Sequence, residues 1–290
     1  MECYKGLFHK HGHSRFHKYL QDVKANKTTD VDDARLPHEL LPYLMMTDQC
    51  SPVALQRWNS IVTQLRSKNL LCNCLAIICD LSISTESEVI TLRNACAALA
   101  LLIAELGNRP WANSITLLGP TCQQISLPHG SYEAKLSSIH QHASKNTNGT
   151  SSPFDFTTVF HRVLDMSVAA ELEPQDMVRT IFVFTDKNFD HIHQTPKQRY
   201  EKPWWRLYKD VCARFRDKGY QHYVPQIVLW NMAGPRSAAL TTSKNGVMTL
   251  SGFSDSLMKL FLDKDGVVEP EDEMNDSIAG DKYQELRVLD

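Results

Sequence analysis

A chain of 290 residues, 42% hydrophobic and 22% charged with a formal net charge of −2, has room for one large domain or two small ones. That balance supplies no general electrostatic drive toward nucleic acid or an anionic membrane, and no stretch approaches the roughly 20 uninterrupted apolar residues that span a bilayer. Eight scattered cysteines without a Cys-x-x-Cys pair are expected to be reduced thiols, and Cys72-x-Cys74 alone does not make structural zinc. The opening MECYKGLFHKHGH has no apolar core of a secretory signal, so the expected location is cytoplasmic, with the nucleus as the alternative.

Residues 4–25 place Leu7, Phe8, Phe16, Tyr19, Leu20 and Val23 among basic residues, the pattern of an interrupted helix with an apolar seam. His9, His11, His13 and His17 lie there too. His13 and His17 share a helical face, but no thiol or carboxylate stands beside them, so they read as a solvated basic face rather than a metal site. LPHELLP at 36–42 begins a short helix between prolines, and Ser51-Pro52 opens another over 53–68, with Leu55, Trp58, Ile61, Val62 and Leu65 at spacings of three and four. Residues 1–69 are therefore expected to be a helical extension packed on a sheet domain of residues 70–290.

From residue 70 strands and helices alternate. Strands are expected at 74–79, 114–119, 180–185, 226–230 and 246–251, with 122–127 as the antiparallel hairpin partner of 114–119. Helices are expected at 89–106, 132–140, 157–171, 204–218 and 255–262. In 157–171 the buried stripe is Val159, Phe160, Val163, Leu164 and Val168. In 204–218 it is Trp205, Tyr208, Val211, Cys212 and Phe215. The segments 141–152 and 187–202 read as loops, the second carrying Asp190, His191 and His193; 269–276 reads as acidic surface, and the tail as one more helix. This order predicts an α/β fold: a doubly wound, mainly parallel sheet of about six strands with one antiparallel edge strand and helices on both faces.

The chemistry concentrates where the first strand ends. The apolar run Cys74 to Cys79 stops at Asp80-x-Ser82-x-Ser84, one carboxylate and two hydroxyls on a turn. Open α/β sheets bind ligands beyond the carboxyl ends of their strands, where strand order reverses, and oxygen donors of this kind suit a hard divalent cation. A second acid, Asp186, ends the strand TIFVFT in the same way. If the two strands are neighbours, Asp80, Ser82, Ser84 and Asp186 converge on one crevice. The same residue types also cap helix amino termini, and that reading stands beside the first.

Asp-x-Ser-x-Ser followed by a distant Asp resembles the metal-ion-dependent adhesion site of von Willebrand factor A-type domains, which also uses a distant Thr. LPHELLP at 36–42, NCLAIICDLSIS at 73–84, VFTDKNFD at 183–190, FRDKGY at 215–220, PQIVLWN at 225–231 and GVMTLSGFSDSLMKLFL at 246–262 resemble more closely a plant and giant-virus family of uncharacterised proteins, in its carboxyl-terminal region. Longer members carry further sequence ahead of this region. The resemblance implies that Ser82 and Ser84 hold Mg²⁺ or Mn²⁺ directly, and that Asp80 and Asp186 do so directly or through water. The chain departs from that pattern in three places. Phe154 stands where the Thr is expected, leaving Thr150, Ser152 or Asp155 to supply a hydroxyl or acid. Ile83 replaces the usual glycine between the serines. Lys187 after Asp186 offers a substitute charge.

The resemblance and this donor set together imply a non-enzymatic interaction module that captures an exposed Asp or Glu of a partner protein through a bound ion. Neutral hydroxyl ligands leave that ion enough charge to attract a carboxylate. A similar pairing of helical repeats with an A-type domain in the Ro ribonucleoprotein makes RNA association an alternative. A metal-assisted phosphohydrolase is a further one, although the chain has no Gly-x-Gly-x-x-Gly, phosphate-loop Lys-Ser/Thr or Gly-x-Ser-x-Gly elbow.

Overall fold

The computed structural model describes residues 35–45, 52–79, 87–118, 122–146, 156–186, 203–235 and 241–278. Among the described residues two helices lead in, α1 (Pro37–Leu44) and α2 (Pro52–Ser67), followed by β1 (Cys74–Cys79), α3 (Ser87–Leu106), β2 (Ser114–Leu118) and β3 (Cys122–Ser126). Then come α4 (Tyr132–Asn146), α5 (Phe156–Ala169), β4 (Thr180–Thr185), α6 (Trp204–Asp217), β5 (Gln226–Asn231), β6 (Thr241–Lys244), β7 (Val247–Ser251), α7 (Asp255–Asp263) and α8 (Pro270–Ile278).

The strands form one sheet in the order β3-β2-β1-β4-β5-β7-β6. Five are parallel, and β3 and β6 run antiparallel at the two edges. The sheet is thus the expected mainly parallel one, with a seventh strand, β6, beyond the about six read from sequence. Its sequence, TTSK, has neither the apolar run nor the alternation that marks a strand. It pairs because the turn at Asn245 and Gly246, both with positive φ, folds it back on β7.

Alternation along the strands divides the core in two. Cys74, Ala76 and Ile78 of β1, Phe182 and Phe184 of β4, and Trp230 of β5 pack with α1, α2, α3, α4 and α7 on one face. Leu75, Ile77, Ile181, Val183, Ile227 and Leu229 pack with α5 and α6 on the other. β1, β2 and β4 are buried at every position, as expected of strands with both faces covered. In α3, ten consecutive residues from Ala95 to Ala104 are buried, because this helix lies between the sheet and the α1–α2 layer. Its alanines permit that close approach while each large neighbour, Leu99 and Leu102 among them, contributes about 1.5–3 kcal/mol by burial.

One polar group fastens the layers together. Glu105, near the end of α3, accepts from the Trp58 indole of α2 at 2.8 Å, from the Tyr132 hydroxyl of α4 at 3.2 Å and from Lys135 Nζ of α4 at 2.7 Å. Its backbone carbonyl accepts from Arg66 Nη2 at 2.8 Å.

Several sequence expectations shift. α4 continues to Asn146, so the first part of the expected 141–152 loop is helix; the chain 141–146 keeps donating hydrogen bonds within one continuous helix despite its polar composition. Val168 is 38% exposed at the end of α5, where the buried stripe runs on from Leu164 to Ser167 instead. In α6 it is Trp204 that packs inward, against Phe156, Phe160 and Tyr208, while Trp205 is 50% exposed. Part of the acidic surface expected at 269–276 lies in α8. The histidine cluster at 9–17, the 187–202 loop with Asp190, His191 and His193, and the tail lie outside the described residues.

Candidate functional site: the carboxyl edge at the β1–β4 junction

The chain passes from β1 through α3 to β2 on one side and later returns as β4 on the other side of β1. Strand order therefore reverses between β1 and β4, and the crevice beyond their carboxyl ends is the position where α/β sheets bind ligands. Both strands are long buried apolar runs, CLAIIC and TIFVFT, held in parallel register from Cys74 opposite Thr180 to Ile78 opposite Phe184.

The register carries across the sheet. Cys79 pairs with Leu118, Thr185 with Asn231, and Asn231 with Ser251. The last row of the sheet is apolar on the β2–β1 side and polar from β4 onward. Thr185 and Asn231 are buried, and Asp186, half-buried, is the next residue beyond the row.

Backbone hydrogen bonds hold this polar row in place. The Thr185 carbonyl accepts from Met232 N at 2.8 Å, and the Asn231 carbonyl accepts from Gly252 N at 2.9 Å and from Gly234 N at 3.2 Å. Ser251 Oγ donates to the Pro235 carbonyl at 3.1 Å, and the buried Trp230 indole donates to the Gly252 carbonyl at 2.7 Å. Gly234 is required by this crowding: a side-chain carbon there would run into Ser251 Oγ and stand 3.0 Å from Asn231 Nδ2.

Asp186 follows the parity of Phe182 and Phe184, toward the face that α3 covers. There it acts on Cys96 of α3. Burial above all, and the negative charge of Asp186 second, push the Cys96 thiol far above its usual range, so Cys96 is an inert core thiol. Cys72, Cys74, Cys79, Cys96, Cys122 and Cys212 are all free thiols.

Of the residues singled out from sequence, the structure places Asp186 at this edge. Asp80, Ser82, Ser84, Thr150, Ser152, Asp155 and Lys187 lie outside the described residues. β1 ends at Cys79, the residue immediately before Asp80. Among the described residues, no three His, Cys, Asp or Glu side chains gather around one point. Sequence reasoning passed over Thr185, Asn231 and Ser251 as members of the same row. The signal was present, since Asn231 ends the apolar strand QIVLW as Asp186 ends TIFVFT.

Fold and edge together define a doubly wound α/β protein whose carboxyl edge carries a polar row from β4 across β5 to β7, beside the topological switch point between β1 and β4. The chain belongs to the family described as a domain of unknown function, DUF7788, which it matches over residues 73–288. It is similar to the uncharacterized protein L728 of Acanthamoeba polyphaga mimivirus, at 24% identity over 260 residues that cover 89% of this chain. That alignment spans 42% of the viral protein's length. Among solved structures it is similar to the Deinococcus radiodurans RO (RSR) protein, at 13% identity and a TM-score of 0.49, over 85% of this chain and 47% of that one. No described helix is long and apolar enough to cross a membrane.

Proposed function

We propose that the protein is a non-enzymatic interaction module of von Willebrand factor A type, and that its crevice holds Mg²⁺ or Mn²⁺ and captures an exposed Asp or Glu of a partner protein. The observation that carries this reading is the parallel pairing of β1 with β4. It makes neighbours of the two strands that Asp80 and Asp186 terminate. Asp186 has the parity of Phe182 and Phe184 and so belongs to the sheet face that α3 covers, and Asp80 is the residue that follows Cys79, the last of β1.

The donor chemistry fits a hard cation. Asp186 supplies a carboxylate beyond the end of β4, and Asp80, Ser82 and Ser84 add a carboxylate and two hydroxyls, oxygen donors throughout. In this reading Ser82 and Ser84 bind the ion directly, Asp80 and Asp186 bind it directly or through water, and Thr150, Ser152 or Asp155 takes the place vacated at Phe154. Such an ion, when bound, supplies positive charge to a partner carboxylate. The neutral hydroxyls of Ser82 and Ser84 take nothing from that charge, and water between the ion and Asp80 or Asp186 weakens the offset from their carboxylates.

The experiment is a capture of partner proteins in Mg²⁺ or in EDTA, by the wild-type chain and by Ser82→Ala/Ser84→Ala. A partner retained in Mg²⁺ by the wild type and lost under both other conditions supports the proposal. Equal retention by the wild type and the double variant in Mg²⁺ refutes it. Turnover of phosphate esters that depends on metal and is abolished by Asp186→Asn moves the protein to the enzyme class instead.

A further inference from the structure

The outward face of α6 carries an aromatic ring and charges that neither the core nor the crevice uses. Trp204 is tied inward, its indole donating to the Asn245 carbonyl at 3.0 Å. Trp205, its neighbour, is 50% exposed. At 3.6 residues per turn, Lys209 and Arg216 lie about 40° and about 20° around the helix from Trp205, so the three share one face. Along the axis the stripe runs for about 16 Å at 1.5 Å per residue. Arg206 flanks it, with its guanidinium 5.0 Å from the centre of the Trp205 ring, a cation–π contact that orients the indole. All four side chains are exposed.

Charge on this helix runs against that of the whole chain. Residues 203–218 hold Arg206, Lys209, Arg214, Arg216 and Lys218 against Asp210 and Asp217, within a chain of net charge −2. Arg214 lies on another side, paired with Asp165 at 3.2 Å. A cationic stripe containing an exposed indole is complementary to a polyanion whose units carry flat π-faces. An acidic peptide meets the charge but offers the indole no counterpart, whereas a nucleotide strand meets both.

We infer that the α6 face binds single-stranded nucleic acid, with a base stacked on Trp205 and the phosphate backbone running along Lys209 and Arg216. This surface is independent of the crevice, and loss of the cation site leaves it intact.

Fluorescence anisotropy on the full chain tests it, with labelled 12-mers of oligo-U and oligo-dT and a labelled oligo-glutamate peptide, between 50 and 200 mM salt. Binding of either oligonucleotide, weakened about tenfold by Trp205→Ala and largely kept by Trp205→Phe, supports the inference. In Lys209→Gln/Arg216→Gln the salt dependence, log Kd against log salt, should flatten by about 1.4, two contacts at 0.7 each for a single strand. That flattening carries the test even if Trp205→Ala folds poorly. No oligonucleotide binding at 50 mM salt, unchanged binding by a folded Trp205→Ala together with an unchanged salt slope, or a peptide that shows the same dependence on Trp205 would each overturn it.

Discussion

Ile78 stands opposite Phe184 in parallel register, both buried, one residue short of the ends of β1 and β4. This pair brings two segments more than 100 residues apart to a common edge. The proposed cation site depends on it, since Asp80 and Asp186 are the residues that follow Cys79 and Thr185, the last of these two strands. Backbone pairing in a fully buried sheet is costly to shift, because a slip by one residue would exchange the two faces of each strand.

Glu105 is the junction of the helical layer, and its loss should be felt by the whole fold. Its side chain and that of Lys135 are 13% and 12% exposed, so the pair is nearly withdrawn from water. Glu105→Ala would bury the Lys135 ammonium without a counter-charge and strip the Trp58 and Tyr132 donors of their acceptor. The expected loss is about 3 kcal/mol in urea denaturation, with Glu105→Gln losing less. A loss under about 0.5 kcal/mol for the alanine variant contradicts this role. By contrast, Asp165→Asn breaks an ion pair whose side chains are 60% and 44% exposed, and should cost under about 0.5 kcal/mol.

His38 gives the fold a pH dependence of predictable sign. It is buried on α1, with its ring edge-on to Phe253 and Nε2 3.7 Å from Asp255 Oδ1. Burial lowers its pKa below the usual 6.5 although Glu39 and Asp255 pull it upward. The folded state therefore prefers the neutral ring. The stability this contributes is fully present above the unfolded value and is lost as pH falls through 6.5 toward the folded pKa. The urea midpoint of the wild type should fall more steeply between pH 7.5 and pH 5 than that of His38→Gln. Parallel pH profiles would show that another group carries the effect.

Gly266 lies in a left-handed turn with φ +77°, where a side-chain carbon would meet the Phe182 ring and stand 3.1 Å from Phe261 Cζ. Gly266→Ala combines a disfavoured backbone conformation with overpacking and should destabilise by about 3 kcal/mol. Phe182→Leu in that background should recover part of the loss, a coupling that a double-mutant cycle reads directly. Strict additivity of the two substitutions would contradict the steric account.

The buried parallel strands were legible because apolar runs such as TIFVFT and QIVLW admit few other placements. Polar elements were not. β6, with the sequence TTSK, exists through its partner β7, and the last turn of α4, residues 143–146, has a loop-like composition but continues an established helix. The choice between Trp204 and Trp205 turned on tertiary contacts that no helical periodicity contains: Phe156 and Phe160 of α5 take Trp204 inward. At the site, Asp186 announced itself as a charge at the end of an apolar strand. Thr185, Asn231 and Ser251 form a row only once strand register is known.

The most direct test of the central claim is isothermal titration of the metal-free protein with Mn²⁺ and Mg²⁺, for the wild type, Asp80→Ala and Asp186→Ala. Two acids in one crevice predict saturable binding by the wild type and its loss in both variants, with folding unchanged by circular dichroism. Wild-type heats that persist in either folded variant, or no binding by the wild type at millimolar metal, would contradict a shared cation site at the β1–β4 junction.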